Sequence, residues 1–283
     1  MHSPSRTRPA LRTLVTTALV PVVVGALAAA TLTGPAAASE SAGTAEAKPT
    51  VVLVHGAFAD ASSWSGVVSR LQRDGYTVVA AANPLRGLAD DAAYVRSVLD
   101  TVTGPVVLVG HSYGGSVISQ AAAGDPDVKA LVYIAAFIPD VGESASELAG
   151  KFPGSTLAET LSTSSYPLPG GGTGTELTIK QDKFRKQFAA DVPAPTAAIM
   201  AATQRPVSTF ALEEKATKAA WKDIRSYALI AGKDYNIPPK AQQWMAERAD
   251  ARTVTVKGAS HAVSVSEPAA VTDLIRRATR DVR

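Results

Sequence analysis

Short apolar runs rich in β-branched residues recur along the chain, at residues 50–54, 77–81, 106–109, 131–135, 227–231 and 253–256. Runs of this length without polar alternation predict strands buried on both faces, as in a parallel sheet. Between them lie stretches with helical spacing of apolar positions, at 64–74, 90–102, 115–123, 239–249 and 267–280. Strands alternating with helices imply βαβ units: an α/β fold with a mostly parallel sheet of roughly six strands and helices on both faces. The rhythm breaks from Asp140 to Arg225, where no strand-like run is found and helical patches flank Gly170-Gly171-Gly172. That interval is expected to be an inserted helical lid. The core then consists of residues 49–139 and 226–283, with the lid at 140–225.

The N-terminal pattern is different. Residues 1–13 are polar and carry Arg6, Arg8 and Arg12, and Leu14 to Leu32 is apolar apart from scattered Thr, one Pro and one Gly. Ala36-Ala37-Ala38 and Ser39 follow. A basic start, an apolar middle and an A-x-A stop predict a secretory signal peptide over 1–38, cut after Ala38, with 39–48 as a linker. The alternative is an uncleaved anchor helix, which Pro21 and the alanine run disfavour. The first segment has no Arg-Arg pair, which favours the general export route. Beyond it no stretch is long and apolar enough to span a membrane.

Composition narrows the function classes. The 283 residues include 28 basic, 25 acidic and no Cys, for a net charge of +3. With no Cys there is no disulfide framework, thiolate metal site or thiol nucleophile. The three arginines before residue 39 account for the whole excess, because no acid precedes Glu40. The remaining chain is balanced in charge, so no nucleic-acid footprint is expected. Oligomeric state is not legible.

The chemistry-bearing residues cluster at the ends of the strand runs. Gly110-His111-Ser112-Tyr113-Gly114-Gly115 follows the strand at 106–109 and opens a helix, which is G-x-S-x-G in a strand–turn–helix context. A serine on so tight a turn has strained backbone angles and projects above the sheet, and the flanking glycines avoid clashes that a Cβ would make. A nucleophilic serine needs a base, and three histidines follow the first segment: His55, His111 and His261. His55 ends the first strand, and His111 points away from its neighbour's Oγ. His261 lies in the loop after the last strand, where the carboxyl ends of parallel strands gather ligands, and is the candidate base. The imidazole needs a carboxylate between residues 112 and 261. Asp234, after the strand at 227–231, is preferred to Asp140, which follows its strand across an extra turn. Oxyanion donors are expected from the amides of Tyr113, next to the serine, and of Ala57, in the loop after the first strand, with the Phe58 amide as the weaker alternative.

Together, His55-Gly56-Ala57-Phe58…Trp64, the Ser112 turn, Asp234 with Ile237-Pro238-Pro239, and Ser260-His261-Ala262 resemble the α/β-hydrolase superfamily. Within it, the chain is similar to bacterial esterase-like hydrolases related to plant methylesterases and hydroxynitrile lyases. The resemblance covers residues 49–283. It implies an esterase-type triad of Ser112, Asp234 and His261, an Ala57/Tyr113 oxyanion hole, and a minimal six-stranded sheet. The chain departs from the lyases at Gly56, where they tend to carry a Thr.

The expected reaction is hydrolysis of a small-molecule ester through an acyl-enzyme on Ser112, with no metal or organic cofactor. Phe58, Tyr113 and Phe137, with Leu161, Ile199, Met200 and Phe210 from the lid, are candidate pocket residues. Three other readings use the same residues: a lyase with Ser112 and His261 as base, a cofactor-free perhydrolase, and a non-catalytic ligand-binding scaffold.

Overall fold

A computed structural model describes residues 48–282. The expected signal segment 1–38 and all but the last residue of the 39–48 linker lie outside the described residues.

The first part of the core runs β1 (Thr50–Val54), α1 (Ser65–Arg73), β2 (Val78–Ala81), α2 (Leu88–Leu99), β3 (Val106–His111), α3 (Tyr113–Ala121) and β4 (Val128–Ile134). The inserted segment contains α4 (Ala145–Gly150), β5 (Leu161–Pro167), β6 (Thr173–Ile179), α5 (Gln181–Phe188), α6 (Ala194–Thr203), β7 (Val207–Ser208) and α7 (Thr209–Glu213). The chain then returns through β8 (Ser226–Ala231), α8 (Pro239–Arg248), β9 (Arg252–Val256), α9 (Val263–Ser266) and α10 (Pro268–Arg280). The main sheet has six strands in the order β2-β1-β3-β4-β8-β9, every neighbouring pair parallel. This is the α/β architecture the apolar runs predict.

The absence of polar alternation in the strands has a direct cause. Val52 and Val54 of β1 and Leu108 of β3 pack into a cluster with Leu88, Val95, Val117 and Met245 from α2, α3 and α8. Their neighbours Val51, Leu53, Val107 and Val109 pack on the opposite face with Val67 and Leu71 of α1 and Leu274 and Ile275 of α10. Both faces of the sheet are therefore covered at its centre, and β1 and β3 need apolar side chains toward both faces. Helix α10 buries Val271, Leu274, Ile275 and Ala278, the i, i+3, i+4, i+7 stripe of a helix with one apolar side.

The insertion is not wholly helical. Strands β5, β6 and β7 form a second, antiparallel sheet, with Leu161 to Pro167 paired against Ile179 to Thr173. The β5 sequence Leu-Ser-Thr-Ser-Ser-Tyr-Pro is mostly solvent-exposed, so it carries no apolar period by which a strand could be read. Gly170, Gly171 and Gly172 all have positive φ and lie in the connection between the two strands, which answers to the unexplained glycine run. Arg86 fastens this hairpin to the core: its Nη1 donates to Glu176 Oε2 at 2.7 Å, and its guanidinium lies 4.3 Å from the Tyr166 ring centroid. Among the described residues no helix is long and apolar enough to cross a membrane.

Candidate active site

Ser112 sits between the end of β3 and the first residue of α3, with φ 54° and ψ −124°. That conformation is unfavourable for a residue with a Cβ and persists because its surroundings enforce it. The Ser112 carbonyl accepts from Gly115 N at 2.9 Å and Phe137 N at 3.1 Å, while its own amide donates to Ile134 O at 3.2 Å. The glycines around it are required by space. A Cβ on Gly110 would come 2.5 Å from Gly114 O, and one on Gly114 would come 2.5 Å from Val54 O. The turn thus brings α3 hard against the ends of β1 and β3.

Asp234 follows β8 and is buried with His261, which follows β9. His261 Nδ1 and Asp234 Oδ2 are 2.6 Å apart. Three more donors serve the same carboxylate: Asn236 N at 2.7 Å and Ile237 N at 3.0 Å to Oδ1, and Gln242 Nε2 at 2.8 Å to Oδ2. Gln242 is itself fixed, donating to Ile237 O and accepting from Ala231 N. Four contacts on a buried carboxylate fix it in one orientation, and its contact with Nδ1 selects the tautomer that leaves Nε2 free to accept a proton. Asp140, the rival candidate, is partly exposed, and its carboxylate pairs with Lys222 instead.

Ser112 and His261 line one cavity of about 380 Å³, together with Ala57, Phe58, Tyr113 and Phe137. The hydrogen bonds among the described residues do not include one between Ser112 and His261; the shared cavity is what brings them together. The amides of Ala57 and Tyr113 have no acceptor among the described residues, and Tyr113 N opens helix α3, where the helix dipole favours negative charge. Of the expected lid residues, Leu161 lines this cavity, whereas Ile199 and Met200 border a separate one of about 170 Å³. Ile199 and Phe210 are 66% and 57% exposed, so the expectation that they line the cavity beside Ser112 is corrected. Their helices turn these side chains outward. The rest of the wall is largely apolar, built by Ala145, Ala149, Leu157, Leu177, Leu212 and Ile237 with Ser146, Ser155, Thr156 and Asn236 between them, and Glu159 is its one ionisable side chain apart from Tyr113 and His261.

Several supporting residues carried no local signal in the sequence. Tyr113 OH donates to the buried Asp91 Oδ2 at 2.8 Å, so the residue expected to supply an oxyanion amide is pinned through its side chain. Burial pushes the Asp91 carboxyl up to about 6, and burial with the adjacent carboxylate pushes the Tyr113 phenol well above its ordinary range. His111 is fully buried, and burial together with nearby His261 pushes it down to about 3. Being neutral, it donates Nε2–H to the His261 carbonyl at 2.9 Å. His55 is likewise held low by burial, and its Nδ1 faces Gly56 O at 2.9 Å. Neither histidine is placed as a base: both are committed to backbone carbonyls. No metal-binding cluster of acidic, His or Cys side chains is formed among the described residues.

A serine on a strained turn and an oriented imidazole on one cavity, lined also by Ala57 and Tyr113 whose amides have no acceptor among the described residues, are parts that nucleophilic acyl transfer can use. Comparison with known proteins agrees with this architecture. The profile of the alpha/beta hydrolase family matches residues 51–274. The chain is 29% identical over 253 residues to the alpha/beta hydrolase nvfD of Aspergillus novofumigatus, covering 82% of this chain and 96% of that protein. It is 27% identical over 259 residues to the esterase PIR7B of Oryza sativa subsp. japonica, with the same coverage of both. Among solved structures, polyneuridine aldehyde esterase superposes with a TM-score of 0.72 at 21% identity, covering 82% of this chain and 99% of that one. With its strand order, its serine turn and the family profile in agreement over most of its length, the chain belongs to the alpha/beta hydrolase family.

Proposed function

We propose that the protein is an exported serine esterase that cleaves uncharged esters with an apolar acyl group. The observation that carries this reading is the shared cavity, in which Ser112 and the Asp234-oriented His261 open on the same apolar space of about 380 Å³. Ser112 Oγ attacks the ester carbonyl while His261 Nε2 takes its proton, and Asp234 stabilises the imidazolium that forms. The oxyanion is received by the amides of Ala57 and Tyr113, donors whose class contributes roughly 3 kcal/mol each. His261 then protonates the departing alcohol, and water attacks the acyl-enzyme by the same route, releasing the acid and restoring Ser112.

The substrate class follows from the wall. No Lys or Arg lines the cavity, and Glu159 would repel a carboxylate brought beside it. The ester-cleaving names among the relatives support the reaction type. Gly56 supports an esterase over a lyase: a Cβ there would stand 2.6 Å from Ser112 Cβ, so the Thr expected in lyases has no room. Export rests on the basic, apolar and small-residue pattern of residues 1–38.

Hydrolysis of p-nitrophenyl esters from acetyl to palmitoyl, beside Ser112→Ala, tests the proposal. We expect Ser112-dependent turnover that favours short and medium chains. The variant should be at least about 10³-fold slower and fold normally, since alanine adds no bulk to the turn. Turnover that survives in Ser112→Ala removes the nucleophile assignment.

A further inference from the structure

The segment ending α5 belongs to the insertion in sequence, yet it binds both loops that carry the acid and the base. Gln187 Nε2 donates to Tyr235 O and to Asn236 Oδ1, each at 2.8 Å, and Gln187 Oε1 accepts from Thr156 Oγ1 at 2.9 Å. Asn236 in turn gives its amide to Asp234 Oδ1. One residue further on, the Phe188 carbonyl accepts from Ala262 N at 2.9 Å and from Ser260 Oγ at 3.3 Å, the residues on either side of His261. The Phe188 ring stands edge-on to the His261 imidazole with centroids 4.9 Å apart. Asp191 completes the arrangement: its Oδ2 accepts from Ser260 N at 3.1 Å, and its Oδ1 accepts from Ser260 Oγ. The contacts close a ring, from α5 through Gln187, Asn236, Asp234, His261 and Ser260 back to Asp191.

We propose that the α5 terminus, through Gln187 and Asp191, is the positioning element for the acid and base of the esterase site, with Asp191 fixing the backbone that presents His261. The proposal rests on the triad reading given above. Ser260 has no other side-chain partner holding its amide, and Asp191 is exposed. Its substitution therefore removes the two hydrogen bonds without opening the core. An imidazole displaced by a fraction of an ångström still binds substrate in the cavity but transfers protons poorly, so the loss belongs in kcat and not in KM. The same connection implies that the insertion cannot lift away as a whole without disturbing His261.

The test compares Asp191→Ala, Asp191→Asn, Ser260→Ala and the Asp191→Ala/Ser260→Ala double variant on the best p-nitrophenyl ester. Asp191→Ala should lower kcat about tenfold to a hundredfold with KM within about threefold. Asp191→Asn, which keeps an acceptor for Ser260 N, should restore most of it, and the double variant should be no worse than Asp191→Ala alone. The downfield proton resonance of His261 Nδ1–H, assigned by its loss in His261→Ala, gives a readout independent of esterase activity. It should broaden or shift in Asp191→Ala and return in Asp191→Asn. Wild-type kcat and an unchanged resonance in Asp191→Ala would overturn the proposal while leaving the esterase reading intact. If no ester is turned over by the wild type, the resonance alone decides.

Discussion

His111, His55 and Asp91 are buried around the serine turn with their titrations displaced in opposite senses, and each displacement has a consequence for stability. His111, pushed down to about 3, and His55, also pushed down, stay neutral in the folded chain at pH values where the unfolded chain protonates them. Their contribution is complete above the unfolded value of about 6.5 and is lost as pH falls below it, by up to about 1.4 kcal/mol per pH unit for each. Asp91 works the other way. Held up at about 6 by burial, it binds a proton in the folded chain between about pH 6 and pH 4 that the unfolded chain does not, so its contribution grows on acidification. With two histidines against one carboxylate, stability should fall from pH 6.5 to 4, and Asp91→Asn should steepen that fall. Urea midpoints at pH 7.5, 6, 5 and 4 check both. Rising wild-type stability toward pH 4, or a slope indifferent to Asp91→Asn, would contradict the titration scheme.

At the scale of elements, the serine turn depends on three strands and a helix meeting with no side chain between them. Gly56, at the end of β1, shows how tightly: a Cβ there would lie 2.6 Å from Ser112 Cβ and 2.7 Å from His111 O. Both atoms belong to the turn, and the turn cannot yield without moving Ser112. Gly56→Ala should therefore cost about 1–3 kcal/mol of stability and on the order of 10²-fold in kcat/KM. Thermal unfolding beside ester kinetics measures both, and near-wild-type values would mean that the turn is looser than its contacts imply. This part of the site was legible because close packing leaves glycines in fixed positions, and because buried parallel strands must be continuously apolar. The β5–β6 hairpin was not legible, since an exposed strand of Ser and Thr has no hydrophobic period. Gln187, Asp191 and Gln242 were invisible for a different reason. Gln187 and Asp191 reach the loops of Asp234 and His261 across long sequence separations, 48 residues to Tyr235 and 69 to Ser260, while Gln242 lies only eight residues from Asp234 but nothing local marks a polar helix residue as turned inward.

Across the whole molecule, the carboxyl edge of the parallel sheet collects the loop after β1, the Ser112 turn after β3, Asp234 after β8 and His261 after β9, as ligand sites in open α/β sheets do. The insertion roofs this edge, supplying Leu157, Leu161, Leu177 and Leu212 to the cavity wall and the α5 terminus to the loops beneath. A covalent acyl-enzyme on Ser112 is the step on which ester cleavage turns, and covalent trapping detects the reactive serine itself. The protein is incubated with a fluorophosphonate, whose phosphorus takes the place of the ester carbonyl carbon: Ser112 Oγ bonds to phosphorus, fluoride leaves as the anion, the serine proton passes to His261, and the labelled site is located by peptide mass spectrometry. A single adduct is expected, on Ser112, that forms slowly in His261→Ala and is slowed by an ester substrate. A folded protein that takes up no label, or takes it up at another residue, would contradict the acyl-enzyme on Ser112.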